Sequence, residues 1–240
     1  MLAQIIVEKD STAASAYAAR RVIQCLSPDK EPVIALPAGD TPLPMYAELL
    51  RINSAGGVNM GSARYICIDE WLGVGRQDAA GHRFTLDRSF FIPAAIEASR
   101  VRSFDGRAED PHAETVSMST YIDSLPGIDL AVLGVGLNGY VGFNEPGSDL
   151  RDSFGVVKLS AVVLDWGKKY FGGQEPPAFG ATMSLDALLH AKSVVLLVTG
   201  PHKREIMRAI LRDHGDCPAA RFCSHKNAVF VLDMAANPFL

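Results

Sequence analysis

Short, unbroken apolar runs alternate with amphipathic stretches along this chain. Val33–Leu36, Tyr65–Ile68, Leu130–Leu133, Val194–Val198 and Ala228–Leu232 contain no charged position. A strand with one wet face shows polar residues at every second position, so continuous runs predict strands covered on both faces. Between them, residues 11–26, 42–52, 112–124, 184–190 and 202–212 carry helical patterns. Ser11-Thr12 is the expected cap of the first helix. Pro42 suits the first turn of the second, where its missing N–H is no loss. This alternation predicts an α/β, Rossmann-like fold. A single domain spanning 1–240 would hold a mostly parallel sheet with helices on both faces and right-handed crossovers.

Composition narrows the function classes. The chain has 240 residues, of which 48% are hydrophobic and 21% charged, with a net charge of −4. That balance lacks the basic surface that dominates nucleic-acid binding. No apolar run approaches the roughly 20 residues of a membrane span, and no signal segment is visible at the start. Cys25, Cys67, Cys217 and Cys223 do not fall at zinc or CxxC redox spacing. A cytoplasmic protein with reduced thiols, no metal site and no membrane partner is expected.

The unusual residues cluster just after predicted strand ends, where ligands bind in open α/β sheets. Leu36 is followed by Ala38-Gly39-Asp40-Thr41-Pro42. A glycine, a hydroxyl and a helix N-terminus outline a phosphate cradle, although alone the segment reads better as a turn capped by Asp40 or Thr41. Ile68 is followed by Asp69-Glu70-Trp71, and a carboxylate at a strand end serves either as a general base or as a helix cap. Lys203, after Thr199-Gly200, can neutralise a phosphate or lie on a solvated helix face. Residues 134–148 contain Gly134-Gly136-Gly139, a GxGxxG spacing, but Asn144-Glu145-Pro146 interrupts the helix that a dinucleotide site needs next. A nicotinamide cofactor is excluded on that ground.

Taken together, the blocks Ala38–Pro42, Ile68–Trp71, Gly134–Tyr140, Phe143-Asn144-Glu145-Pro146-Gly147-Ser148 and Leu197–Gly200 resemble the glucosamine-6-phosphate deaminase/isomerase family, including its galactosamine-6-phosphate isomerase branch. The resemblance runs from about Ile34 to Leu232. It implies a cofactor-free conversion of an amino-sugar 6-phosphate to a ketose phosphate and ammonia. By position, Asp69 matches the carboxylate that moves a proton from C2 to C1, and Glu145 the carboxylate that supports a ring-opening histidine. Gly39, Thr41 and Lys203 match phosphate contacts, and Lys169 approximately matches a phosphate-gripping arginine. A homo-oligomer is compatible with this reading. The sister 6-phosphogluconolactonases, which are hydrolases, and a sugar-phosphate-binding protein without chemistry are the alternatives.

Three positions depart from the family pattern. Its loop reads Asp-Gly-His, whereas this chain reads Asn138-Gly139-Tyr140. Imidazole, with a pKa of about 6.5, both takes and gives a proton near neutrality; a phenol at about 10 donates but is a poor base. Glu145 then becomes a second acid–base group, or Tyr140 orients the substrate while the ring opens unaided. His82, in Gly81-His82-Arg83, reads as an exposed loop histidine rather than a lid group filling the gap. Asp40 places a carboxylate beside the phosphate cradle, where it repels a dianion unless it points away or caps the helix. Lys169 cannot grip a phosphate through a planar fork as arginine does.

Overall fold

A computed structural model describes residues 3–26, 30–56, 58–150, 152–212 and 216–239. The five apolar runs all become strands: β2 (Val33–Leu36), β3 (Arg64–Cys67), β6 (Leu130–Gly134), β9 (Val194–Val198) and β10 (Ala228–Asp233). Two further strands, β1 (Gln4–Glu8) and β5 (Val101–Arg102), form the edges. Edge strands are covered on fewer sides, and their mixed or very short patterns give no continuous apolar run. The seven strands pair in the order β1-β10-β9-β6-β2-β3-β5, and every pairing is parallel.

Helices cover both faces, as the double-sided burial of the strands requires. Side chains alternate across a strand. Ile34, Leu36, Val132, Val195 and Leu197 therefore pack with α1 (Ser11–Cys25) and α2 (Leu43–Ser54). Ala35, Ala131, Leu133, Val194 and Leu196 pack on the opposite side with α4 (Pro111–Ser124) and α7 (Arg204–Leu211). The cap of α1 is Asp10 rather than Ser11 or Thr12. Asp10 is extended, and its carboxylate accepts the Ala13 N–H at 2.8 Å, the N3 reach that a cap needs.

A smaller antiparallel sheet crosses the carboxyl end of the large one. It orders β4 (Asp69–Trp71), β8 (Phe179–Met183) and β7 (Phe154–Lys158), flanked by α5 (Ala161–Gly167) and α6 (Leu185–Leu189). The chain passes from β3 into β4 within one residue, so Asp69 and Glu70 project from a strand and not from a turn. The short α3 (His82–Leu86) completes this end. In the large sheet, β2 leads towards β3 and β5, whereas β6, beside it, leads the other way to β9 and β10. The loops after β2 and β6 thus separate at a topological switch point, the site of a ligand crevice.

Candidate active site

That crevice is a cleft holding about 790 Å³ of space between atoms, part of it open to solvent. Its lining draws on all four loops that the sequence singled out. Gly39, Asp40, Thr41, Asp69, Tyr140, Lys169 and Lys203 face it, together with His82, Trp166 and Tyr170. Asn138 and Glu145 are outside the lining.

At one end the charges suit an anion. Gly39 turns the loop after β2 with φ 98°, a conformation that L side chains resist. Tyr46 of α2 donates its hydroxyl to Pro37 O at 2.6 Å and holds the loop down. Neither Asp40 nor Thr41 caps α2: its cap is Pro42, and among the described residues no side chain makes a capping hydrogen bond there. Lys203 approaches from a 3-10 turn after β9. The turn is fixed by the buried carboxylate of Asp233, which accepts the Gly200 N–H at 3.1 and 3.0 Å. Lys203 is only 6% exposed, and no anionic partner for it exists among the described residues. Burial, reinforced by Lys169, pulls its ammonium down to about 8.

Lys169 reaches the same end from beyond α5. Its ammonium lies 4.0 Å over the Trp166 ring and pairs with Asp40. Asp40 therefore points at a lysine, and the expected repulsion of a phosphate is offset by that partner. Trp166 also carries Lys203, 5.5 Å from its centroid, and stacks on His202 at 5.4 Å. An aromatic face thus gathers two cations, Lys169 paired with Asp40 and Lys203 without a carboxylate partner among the described residues. A tryptophan three residues before Lys169 carried no sequence signal of its own.

At the other end stands Asp69, 8% exposed. Alternation along β4 sends Asp69 into the cleft and Glu70 behind it. Glu70 accepts the N–H groups of Trp71, His82 and Arg83 at 2.9, 2.9 and 2.8 Å, two of them at the start of α3. Burial raises the Glu70 pKa despite those donors and despite His82. The cap thus comes from a residue twelve positions upstream.

His82 overturns its sequence reading. It is not an exposed loop residue: its side chain is 13% exposed, and Nδ1 lies 2.6 Å from Asp69 Oδ1. The ring lies against Phe143 at 5.4 Å and meets Trp71 edge-on at 5.8 Å. Burial opposes a charged imidazole, but the adjacent Asp69 carboxylate prevails and lifts its pKa to about 9. The missed signal was spacing: Asp69 and His82 are thirteen residues apart across an aperiodic loop.

Tyr140 occupies the wall between the two ends. Its ring fills the space above Gly136, where any Cβ would come within 2.1 Å of it. Burial and the charges of Asp69 and Glu145 push its phenol well above its usual range. A phenol so shifted remains a hydrogen-bond donor and gives no base near neutrality. Glu145 is buried behind this wall. Its oxygens accept the Ser160 N–H at 2.8 Å, the Ser160 hydroxyl, and the Asn138 amide at 3.3 Å. Among the described residues, no group of three His, Cys, Asp or Glu side chains is placed to hold a metal ion.

The model of the glucosamine-6-phosphate isomerases/6-phosphogluconolactonase family matches residues 8–231. The chain belongs to this family. It is 33% identical to a glucosamine-6-phosphate deaminase of Shewanella loihica over 236 residues, covering 97% of this chain and 88% of the relative. It is 30% identical to the Cellvibrio japonicus deaminase, over 97% and 90% of the two chains. The structure of a monomeric glucosamine-6-phosphate deaminase superposes with TM-score 0.92 at 27% identity, over 97% of this chain and 98% of that one. A 6-phosphogluconolactonase from Trypanosoma brucei shares the fold, at TM-score 0.77 and 22% identity over 98% and 97% of the chains. Within the family, this member lines its cleft with Tyr140 and with an Asp69–His82 pair.

Proposed function

We propose that this protein converts an amino-sugar 6-phosphate, of the glucosamine or galactosamine type, to a ketose phosphate and ammonia. The observation that carries the reading is the division of one cleft into an anion end and a carboxylate end. Lys203, Lys169, Thr41 and the α2 N-terminus serve the 6-phosphate. Asp69 serves the C1–C2 end of the open-chain sugar. Its Oδ1 is taken by His82, which leaves Oδ2 for the C2 proton. Moving that proton to C1 turns the aldose into a ketose imine, and water then releases the amine. Glu145 positions the Asn138–Tyr140 loop through Ser160 and Asn138. Tyr140 donates to a substrate hydroxyl. The deaminase names of relatives at 30–33% identity agree with this assignment.

A panel assay tests it. Glucosamine 6-phosphate, galactosamine 6-phosphate and a sugar-phosphate lactone are each incubated with the protein, with ammonia, ketose phosphate and free acid followed together. Equimolar ammonia and ketose phosphate from a hexosamine phosphate is the expected result. Hydrolysis of the lactone alone points to the hydrolase alternative. Binding of the hexosamine phosphates without turnover identifies a carrier.

A further inference from the structure

The family's imidazole is absent from position 140, yet the cleft contains an imidazole beside Asp69. His82 is locked in place and is not carried on a mobile lid. Its own N–H and that of Arg83 are held by Glu70. The loop leading to it is folded tightly on itself: Asp78 accepts the Gly75 N–H at 2.6 Å, and Gly81 donates to Asp78 O at 2.8 Å. Arg107 fastens Asp78 from outside at 2.8 Å. The ring is then fixed by three contacts: Asp69 at Nδ1, the Phe143 face and the Trp71 edge. Nε2 has no hydrogen-bond partner among the described residues, and His82 lines the cleft beside Asp69. The two other residues at this end do not offer a proton shuttle. Tyr140 is held neutral, and both oxygens of Glu145 are engaged by Ser160 and Asn138.

We propose that His82 is the acid–base group that opens the sugar ring, with Asp69 as its orienting partner, so that this chain supplies from α3 the imidazole that its relatives supply from the loop after β6. The inference rests on the deaminase/isomerase reading above. In the step, the His82 imidazolium gives its Nε2 proton to the ring oxygen O5. The C1–O5 bond breaks, with its electron pair going to O5. The O1–H pair becomes the C1=O1 bond, and the O1 proton returns to the imidazole. One proton enters and one leaves, so His82 is regenerated and no other reactant is consumed. Asp69 Oδ2 is then free to take the C2 proton from the open chain. Among the described residues, the charged groups that act on the ring are Asp69, against Nδ1, and Glu70, behind it, both acidic, so the imidazolium is the form present near neutrality.

The test separates catalysis from positioning. His82→Asn keeps an amide N–H near the Nδ1 position, where it can still bond Asp69, but it cannot carry a proton. His82→Ala removes both functions. If His82 shuttles the proton, kcat for the hexosamine 6-phosphate falls by about 10²-fold or more in both variants, the usual worth of general acid–base catalysis. Wild-type kcat, measured at saturating substrate so that the lysine end stays charged, declines on the alkaline side as the His82 imidazolium, held above its ordinary range by Asp69, loses its proton. That alkaline limb disappears in His82→Asn. A His82→Asn enzyme with near-wild-type kcat shows that the ring only orients Asp69, and overturns the proposal. A wild-type profile with no alkaline limb overturns it as well, without requiring any variant to fold. Wild-type protein inert towards every hexosamine phosphate overturns this proposal and the proposed function together, whereas an active wild type with an active His82→Asn variant overturns this one alone.

Discussion

The two ends of the cleft are built by different physics. At the anion end, the backbone does most of the work: a glycine turn, a helix N-terminus and a 3-10 turn pinned by Asp233 present N–H groups and one buried lysine. At the carboxylate end, side chains hold one another: Glu70 holds α3, α3 holds His82, and His82 holds Asp69. A backbone-built end tolerates change in its side chains, because loop geometry survives them. A side-chain chain fails at its weakest link. The anion end should therefore yield graded losses of affinity, and the carboxylate end abrupt losses of rate.

Asp69→Asn gives the sharpest break in that contrast. Turnover, measured as ammonia release, falls by about 10²–10⁴-fold, while binding of the hexosamine 6-phosphate stays measurable. Turnover within a factor of ten of wild type would remove Asp69 from the chemistry. Lys203→Met comes next and weakens binding while strengthening the fold. Substrate KM rises by about 10–100-fold, the worth of a charge-assisted hydrogen bond. Thermal stability rises, because a buried ammonium with no anionic partner among the described residues is replaced by an apolar chain of similar length. A fall in melting temperature would mean that the charge has a partner in the folded protein.

The pH dependence distinguishes the ends without mutation. Lys203 is depressed to about 8, so free protein loses affinity for inorganic phosphate as pH rises through that value. His82 is raised to about 9 from a usual value of about 6.5, so it binds its proton more tightly in the folded state. Its contribution to stability is fully present below about 6.5 and is lost as pH rises through about 9. Denaturation of wild type and His82→Asn over pH 6–10 should therefore converge at the alkaline end, and parallel curves would contradict the ion pair. Asp40→Asn has the smallest effect. It frees Lys169 from a pair whose carboxylate is 60% exposed, so phosphate binds only a few-fold more tightly by calorimetry.

How far the sequence reaches follows the same division. The five central strands were legible because burial on both faces leaves no polar positions in them. The antiparallel strands were not, since Phe154–Lys158 is half exposed and Asp69–Trp71 is three residues long. Lys203 and Gly39 could be found because each follows a strand end directly. Trp166 and Asp233 could not, because each acts on a neighbour brought close by folding.

The sequence by itself determined the α/β architecture, the loops that meet at the switch point, and the absence of an imidazole at position 140. Periodicity and strand-end position are local properties, and they survive in one dimension. Only the tertiary structure decided that Asp40 faces Lys169, that Glu145 is tied to Ser160, and that His82 lies against Asp69. Those outcomes depend on which side chains are desolvated together, a consequence of packing β4, α3 and the loop after β6 around one cleft.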